Sequence, residues 1–175
     1  MTDDRVDPPA QAGEAEMLSA FLDYYRATLM MKADGLTDDQ ARTASVTPSD
    51  LNIMGLVRHM SEVERNWFQR WFIKADAPSI YCSDDDPDED RDMHPGPDDT
   101  LANALAVFHR EVEVSRQIAA SATPDAKAAH IGESEHWAGF QPNLRWILIH
   151  MVDEYARHCG HADLIRERLD GVVGD

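Results

Sequence analysis

The chain has 175 residues, 43% of them hydrophobic, and its 33 acidic side chains against 16 basic ones give a formal charge of −17. That length supports one domain with a core but not two, and the negative field argues against nucleic acid and anionic membrane surfaces as partners. No apolar run reaches the ~18 residues of a membrane span and no signal-peptide pattern opens the chain. Two cysteines, Cys82 and Cys159, form no disulfide framework, so the expectation is a cytoplasmic protein.

Residues 1–13, rich in Asp, Pro and Gly, are expected to be a disordered tail, and a single domain is expected over 14–175. Met17, Leu18, Phe21, Leu22, Tyr25, Leu29 and Met30 keep helical spacing up to Ala33, where Asp34-Gly35 supplies a stop. Asp38-Asp39-Gln40-Ala41 fits a short helical turn. A second long helix, capped by Ser49 or Asn52, carries Leu56, Met60, Val63 and Trp67 on one stripe and runs to about Phe72.

The acidic run from Ser83 to Asp92, followed by His94-Pro95-Gly96-Pro97, reads as an exposed connection that cannot pack. It lacks the central glycine and terminal glutamate of an EF-hand loop, which argues against calcium. A third helix, opened by Asp98 or Asp99, presents Leu101, Leu105, Phe108, Val112 and Ile118 and ends at Thr123-Pro124. His109 and His130 have no partner at ligand spacing and read as surface or boundary residues. Residues 128–141, with His136, Trp137 and Phe140, read as loop, and Pro142 starts the last helix. Four long amphipathic segments without a strand predict an all-α four-helix bundle.

The last helix carries the chemistry. His150, Glu154, His158 and His161 follow one another at three- and four-residue steps on the stripe that also holds Ile147, Ile165 and Leu169. A core-facing Glu154 needs compensation that burial alone cannot give, and a cation would supply it. The bland alternative is a solvated Glu–His pair. His59, beside the apolar stripe of the second helix, is the candidate third ligand. Tyr24, Tyr25, Trp67, Trp71, Trp137 and Trp146 either wall a pocket or simply pack in the core.

The segments Leu56-Val57-Arg58-His59-Met60-Ser61-Glu62-Val63-Glu64-Arg65-Asn66-Trp67-Phe68 and Leu144 to Asp163, which includes His150-Met151-Val152-Asp153-Glu154-Tyr155-Ala156-Arg157-His158, resemble the DinB/YfiT superfamily of four-helix bundles. The likeness runs from about Glu14 to Gly171 and is nearest the actinobacterial DinB-like branch. It implies one divalent metal, zinc first, with nickel, iron or manganese as alternatives, held by His59, Glu154 and His158. Many members have histidine where Glu154 stands, but the mycothiol-dependent maleylpyruvate isomerase is similar in using His, Glu, His. That isomerase has a further C-terminal domain, so isomerase activity is not expected of this chain.

Three protein ligands leave an open position for water or a thiol. The resemblance therefore implies a small-molecule S-transferase that uses a low-molecular-weight thiol such as mycothiol. The alternatives are a metal-dependent hydrolase and a non-catalytic metal- or ligand-binding stress protein. His150 and His161 are candidates for proton transfer or for packing beside the ligands, and His161 is also within reach of replacing one of them. Arg145 is the candidate contact for an anion or a thiol cofactor's carboxylate. Homodimers are common among the proteins the chain resembles.

Overall fold

The computed structural model describes residues 5–82, 86–88 and 90–174. Among the described residues five α-helices form: α1 (Glu14–Ala33), the single turn α2 (Asp38–Ala41), α3 (Ile53–Glu64), α4 (Leu101–Ala120) and α5 (Leu144–Asp170). Among the described residues the β pairing amounts to one isolated bridge between Lys127 and Asn143, so the fold is all-α. The four long helices make the bundle. α1 packs along α5 and α3 along α4, with α3 also meeting α5.

Local chemistry explains where these helices start and stop. Gly35 follows α1 at φ +74°, a left-handed conformation that costs a residue with a Cβ and is free to glycine. In α2, Thr37 accepts from the Gln40 backbone N–H while the Gln40 side chain accepts from that of Thr37, a reciprocal capping box. Asn52 caps α3 by accepting from Gly55 N–H at 2.8 Å. Two starts differ from the sequence expectation. Thr100, not Asp98 or Asp99, caps α4, and α5 starts at Leu144 behind an Asn143 cap rather than at Pro142. In each case a side-chain oxygen one or two residues further on reaches the free N–H groups of the first turn.

The expected second helix does reach Phe72, but not as one α-helix: Arg65–Phe72 is π-helical. The wider turn lets both Arg65 and Gln69 reach Glu111 on α4, at 2.7 and 2.8 Å, while Trp67, Phe68 and Phe72 all stay buried. Hydrophobic periodicity cannot distinguish these two windings over so few residues.

The core is formed by Leu22 and Leu29 from α1, Leu56 and Met60 from α3, Phe108 from α4, and Ile147, Met151 and Ile165 from α5, each at most 1% exposed. Each such side chain contributes about 1.5–3 kcal/mol of transfer free energy. One polar network crosses this core: Arg26 pairs with Glu64 through two 2.7 Å contacts, and Tyr155 donates to the same carboxylate at 2.7 Å.

Two loop expectations need correction. Residues 1–4 of the expected tail lie outside the described residues, but Arg5 donates to Thr28 at 3.3 Å and lies 4.9 Å over the Tyr24 ring, so this segment lies against α1. Of the acidic connection, 83–85 and 89 lie outside the described residues. The part that follows does pack, contrary to expectation: Asp92 is 8% exposed, and a Cβ on Gly55 would meet the Met93 carbonyl oxygen at 2.2 Å. Charged loop residues bury when each polar group finds a partner. Arg58 supplies several, binding Asp99 at 2.6 Å and the Arg91 carbonyl at 3.0 Å, with its guanidinium 4.3 Å from the Tyr81 ring.

Candidate metal centre

α3 and α5 bring together the three side chains singled out in the sequence. One ligand-type atom from each of His59, Glu154 and His158 lies within 4.8 Å of the others. The four-residue step on α5 stacks Glu154 beneath His158, 3.5 Å from its Nε2, and the His59 and His158 rings are 4.9 Å apart. His158 is the most enclosed, with its side chain 9% exposed against 18% for Glu154 and 24% for His59.

The two α5 imidazoles that flank Glu154 are held neutral. Burial, reinforced by His59 and His161, drives the His158 imidazole down to about 4. Burial also lowers that of His150, whose Nε2 lies 3.7 Å from Glu154. Both rings are thus neutral near pH 7, with a lone pair free to donate. A mostly enclosed carboxylate sits between imidazoles that do not neutralise it, at distances too long for good hydrogen bonds.

Around this cluster the other candidates separate. His161 stays with it, its Nδ1 3.4 Å from Nδ1 of His158. His150 connects the cluster to an aromatic wall, stacked on Trp146 at 4.9 Å and edge-on to Trp67 at 4.6 Å. Trp67, Trp71, Trp137, Trp146 and Phe140 touch one another in a continuous group, placed by the π-helical segment, the 3-10 turn Glu135–Trp137 and the first turn of α5. Tyr24 and Tyr25, which sequence grouped with them, instead meet each other on α1. Arg145 is bound bidentately to Glu14 at 2.6 and 2.8 Å and to Asp125 at 2.5 Å, so local carboxylates already occupy its guanidinium. His109 is exposed and His130 packs on Trp71 at the boundary, as expected for both.

A cavity of about 260 Å³ opens beside His59, lined by Val63, Asn66, Arg70, Cys82 and Asp92 among others. A larger one of about 510 Å³ between α1 and α4, walled by Met30, Met31, Phe108 and Val112, contains none of the clustered donors. The chemistry belongs with the donors, not with the greater volume.

One neighbour of the cluster escaped sequence reasoning. Asp92 Oδ2 lies 2.8 Å from His59 Nδ1. Within a run of acids nothing sets this one apart, and only the clamped loop selects it. The buried Arg26–Glu64–Tyr155 network was equally silent, because Glu64 and Tyr155 each sit beside residues with louder signals.

A family model described as MST, mycothiol-S-transferase, matches residues 17–171. No curated protein matches the chain.

Proposed function

The chain belongs to the mycothiol S-transferase family, and from that premise we propose that it transfers a small thiol, mycothiol or a close relative, to a small electrophile at a centre where His59, Glu154 and His158 hold one divalent cation. The observation that carries this reading is the cluster itself: three donor atoms, from two imidazoles and one carboxylate on two helices, within 4.8 Å of one another.

The residues fit such an ion. Zinc–nitrogen bonds of about 2.0–2.1 Å set tetrahedral ligand atoms about 3.4 Å apart, so small side-chain adjustments close the cluster. Two imidazoles and a carboxylate suit zinc first, and nickel, iron or manganese as well. Bound there, the cation would hold a thiol as thiolate near neutral pH.

The chain's own residues do the rest. His158 is kept neutral and therefore able to donate its lone pair. Trp67 and Trp146 flank His150 on one side, and the cavity beside His59 leaves room for a substrate on another. His150 stands where a proton leaving the thiol could be held, at Nε2, while His161 Nδ1 faces Nδ1 of His158.

The chain's own cysteines are poorly placed to act as nucleophile by themselves. Burial pushes the Cys159 thiol up to about 12 and raises that of Cys82 as well, so neither is a thiolate at neutral pH. This favours an exogenous thiol over a protein cysteine, in keeping with a cytoplasmic location. The hydrolase alternative would use water at the same position.

The test is metal analysis of His158→Ala together with thiol-dependent turnover of a chloronitroarene. We expect substoichiometric metal in the variant and loss of turnover in both proteins with chelator. Unchanged metal content would refute the ligand set, and thiol-independent ester hydrolysis would replace transferase with hydrolase.

A further inference from the structure

We infer that Asp92 is a positioning residue for this centre: it fixes the His59 imidazole in the tautomer that carries its proton on Nδ1, so that Nε2 presents its lone pair to Glu154 and His158. The inference rests on the proposed metal site for its consequence, though not for its geometry.

Neutral histidine has one donor and one acceptor nitrogen, and a hydrogen bond at either decides which is which. A carboxylate oxygen 2.8 Å from Nδ1 can only accept, so the proton belongs on Nδ1. The same contact polarises the ring and raises the donor strength of Nε2, as an outer carboxylate does for a metal-bound histidine. Asp92 is suited to the task because its other oxygen is held as well: Oδ1 accepts from the Met93 backbone N–H at 3.0 Å.

The loop is built to hold Asp92 there. Arg58, the residue before His59, turns away from the cluster to clamp both ends of the segment, at Arg91 and Asp99. Asn52 donates to the Met93 carbonyl at 3.3 Å, and the side-chain-free face of Gly55 lets that carbonyl lie against α3. Consecutive residues of one helix thus provide the candidate ligand and the anchor of the carboxylate that orients it. Asp92 is not itself among the clustered donors, and the hydrogen bond that joins it to them runs to His59.

The test uses the full chain with ¹⁵N-labelled imidazoles, metal-free and then titrated with zinc. In the metal-free wild type, His59 should show the Nδ1–H tautomer. Asp92→Ala should move it toward Nε2–H and weaken zinc binding about tenfold to a hundredfold. Asp92→Asn keeps the shape and an accepting oxygen, so it should retain the Nδ1–H tautomer and bind zinc with intermediate affinity. It also serves if the alanine variant does not fold. An Nε2–H tautomer in the wild type, or an unchanged tautomer in Asp92→Ala, would overturn the inference. Wild type with the expected tautomer but no zinc binding would instead refute the metal site and leave the orientation by Asp92 standing.

Discussion

Tyr155→Phe tests how the bundle tolerates charge in its core. Tyr155 and Glu64 are fully buried and Arg26 is 4% exposed, so solvent cannot replace any bond lost among them. The substitution removes one 2.7 Å hydrogen bond to Glu64 and keeps the ring, whose edge contact with Phe108 is at 6.3 Å. A hydrogen bond to a charged group contributes about 1.5–3 kcal/mol. Since Glu64 Oε1 keeps its bond from Arg26, the lower part of that range applies, about 2 kcal/mol. For a chain of this size, that lowers Tm by about 4–8 °C.

Removing a charge should cost more. Glu64→Leu leaves the Arg26 guanidinium buried and short of its main partner, a loss of about 3–5 kcal/mol, whereas Arg26→Met with Glu64→Leu removes both charges and should recover most of it. Burial opposes the Arg26 charge, but the Glu64 carboxylate outweighs it and holds the guanidinium well above its usual range, as expected for an intact ion pair. The assay is urea unfolding in chelator, which removes any metal contribution, of five proteins: wild type, Tyr155→Phe, Glu64→Leu, Arg26→Met and the double variant. Additive losses in the double variant, or a Tyr155→Phe protein as stable as wild type, would refute the reasoning.

Chelator should lower the Tm of the wild type, because removing the cation leaves Glu154 enclosed without compensation, while His158→Ala should be insensitive to it; differential scanning calorimetry decides between a shift and none. Both cysteines should alkylate slowly with iodoacetamide at pH 7, Cys82 before the 5%-exposed Cys159, and rapid labelling of Cys159 in folded protein would contradict its burial. His94 should titrate above 6.5, because its bonds to Asp88 and then Asp50 raise it against a smaller effect of burial. Its hold on those two acids is therefore complete below pH ~6.5 and is lost as pH rises through the raised value, and an NMR midpoint at or below 6.5 would remove that link.

How much was legible in advance depended on the range of the interactions involved. Helical periodicity and caps are local, so α1, α3, α4 and α5 could be read within a few residues. Glu154 and His158 could be paired because four residues on a helix always share a face. His59 was reachable as a residue beside an apolar stripe, and the motif resemblance tied it to the other two. The π-helical turn at Arg65–Phe72 was not legible, because it depends on Glu111 and on aromatic partners far along the chain. Arg145 carries partners that no local pattern showed: the fold pairs it with Glu14 and Asp125.

The sequence by itself determined the helices, their apolar faces and a ligand-type spacing on α5, since each follows from residues within a turn or two of one another. The tertiary structure alone decided that Asp92 meets His59, that Glu64 pairs with Arg26 across the core, and that Trp67 meets Trp146 and His150 beside the cluster. Those contacts join residues tens of positions apart, and their energy depends on burial and angle, which no local pattern encodes.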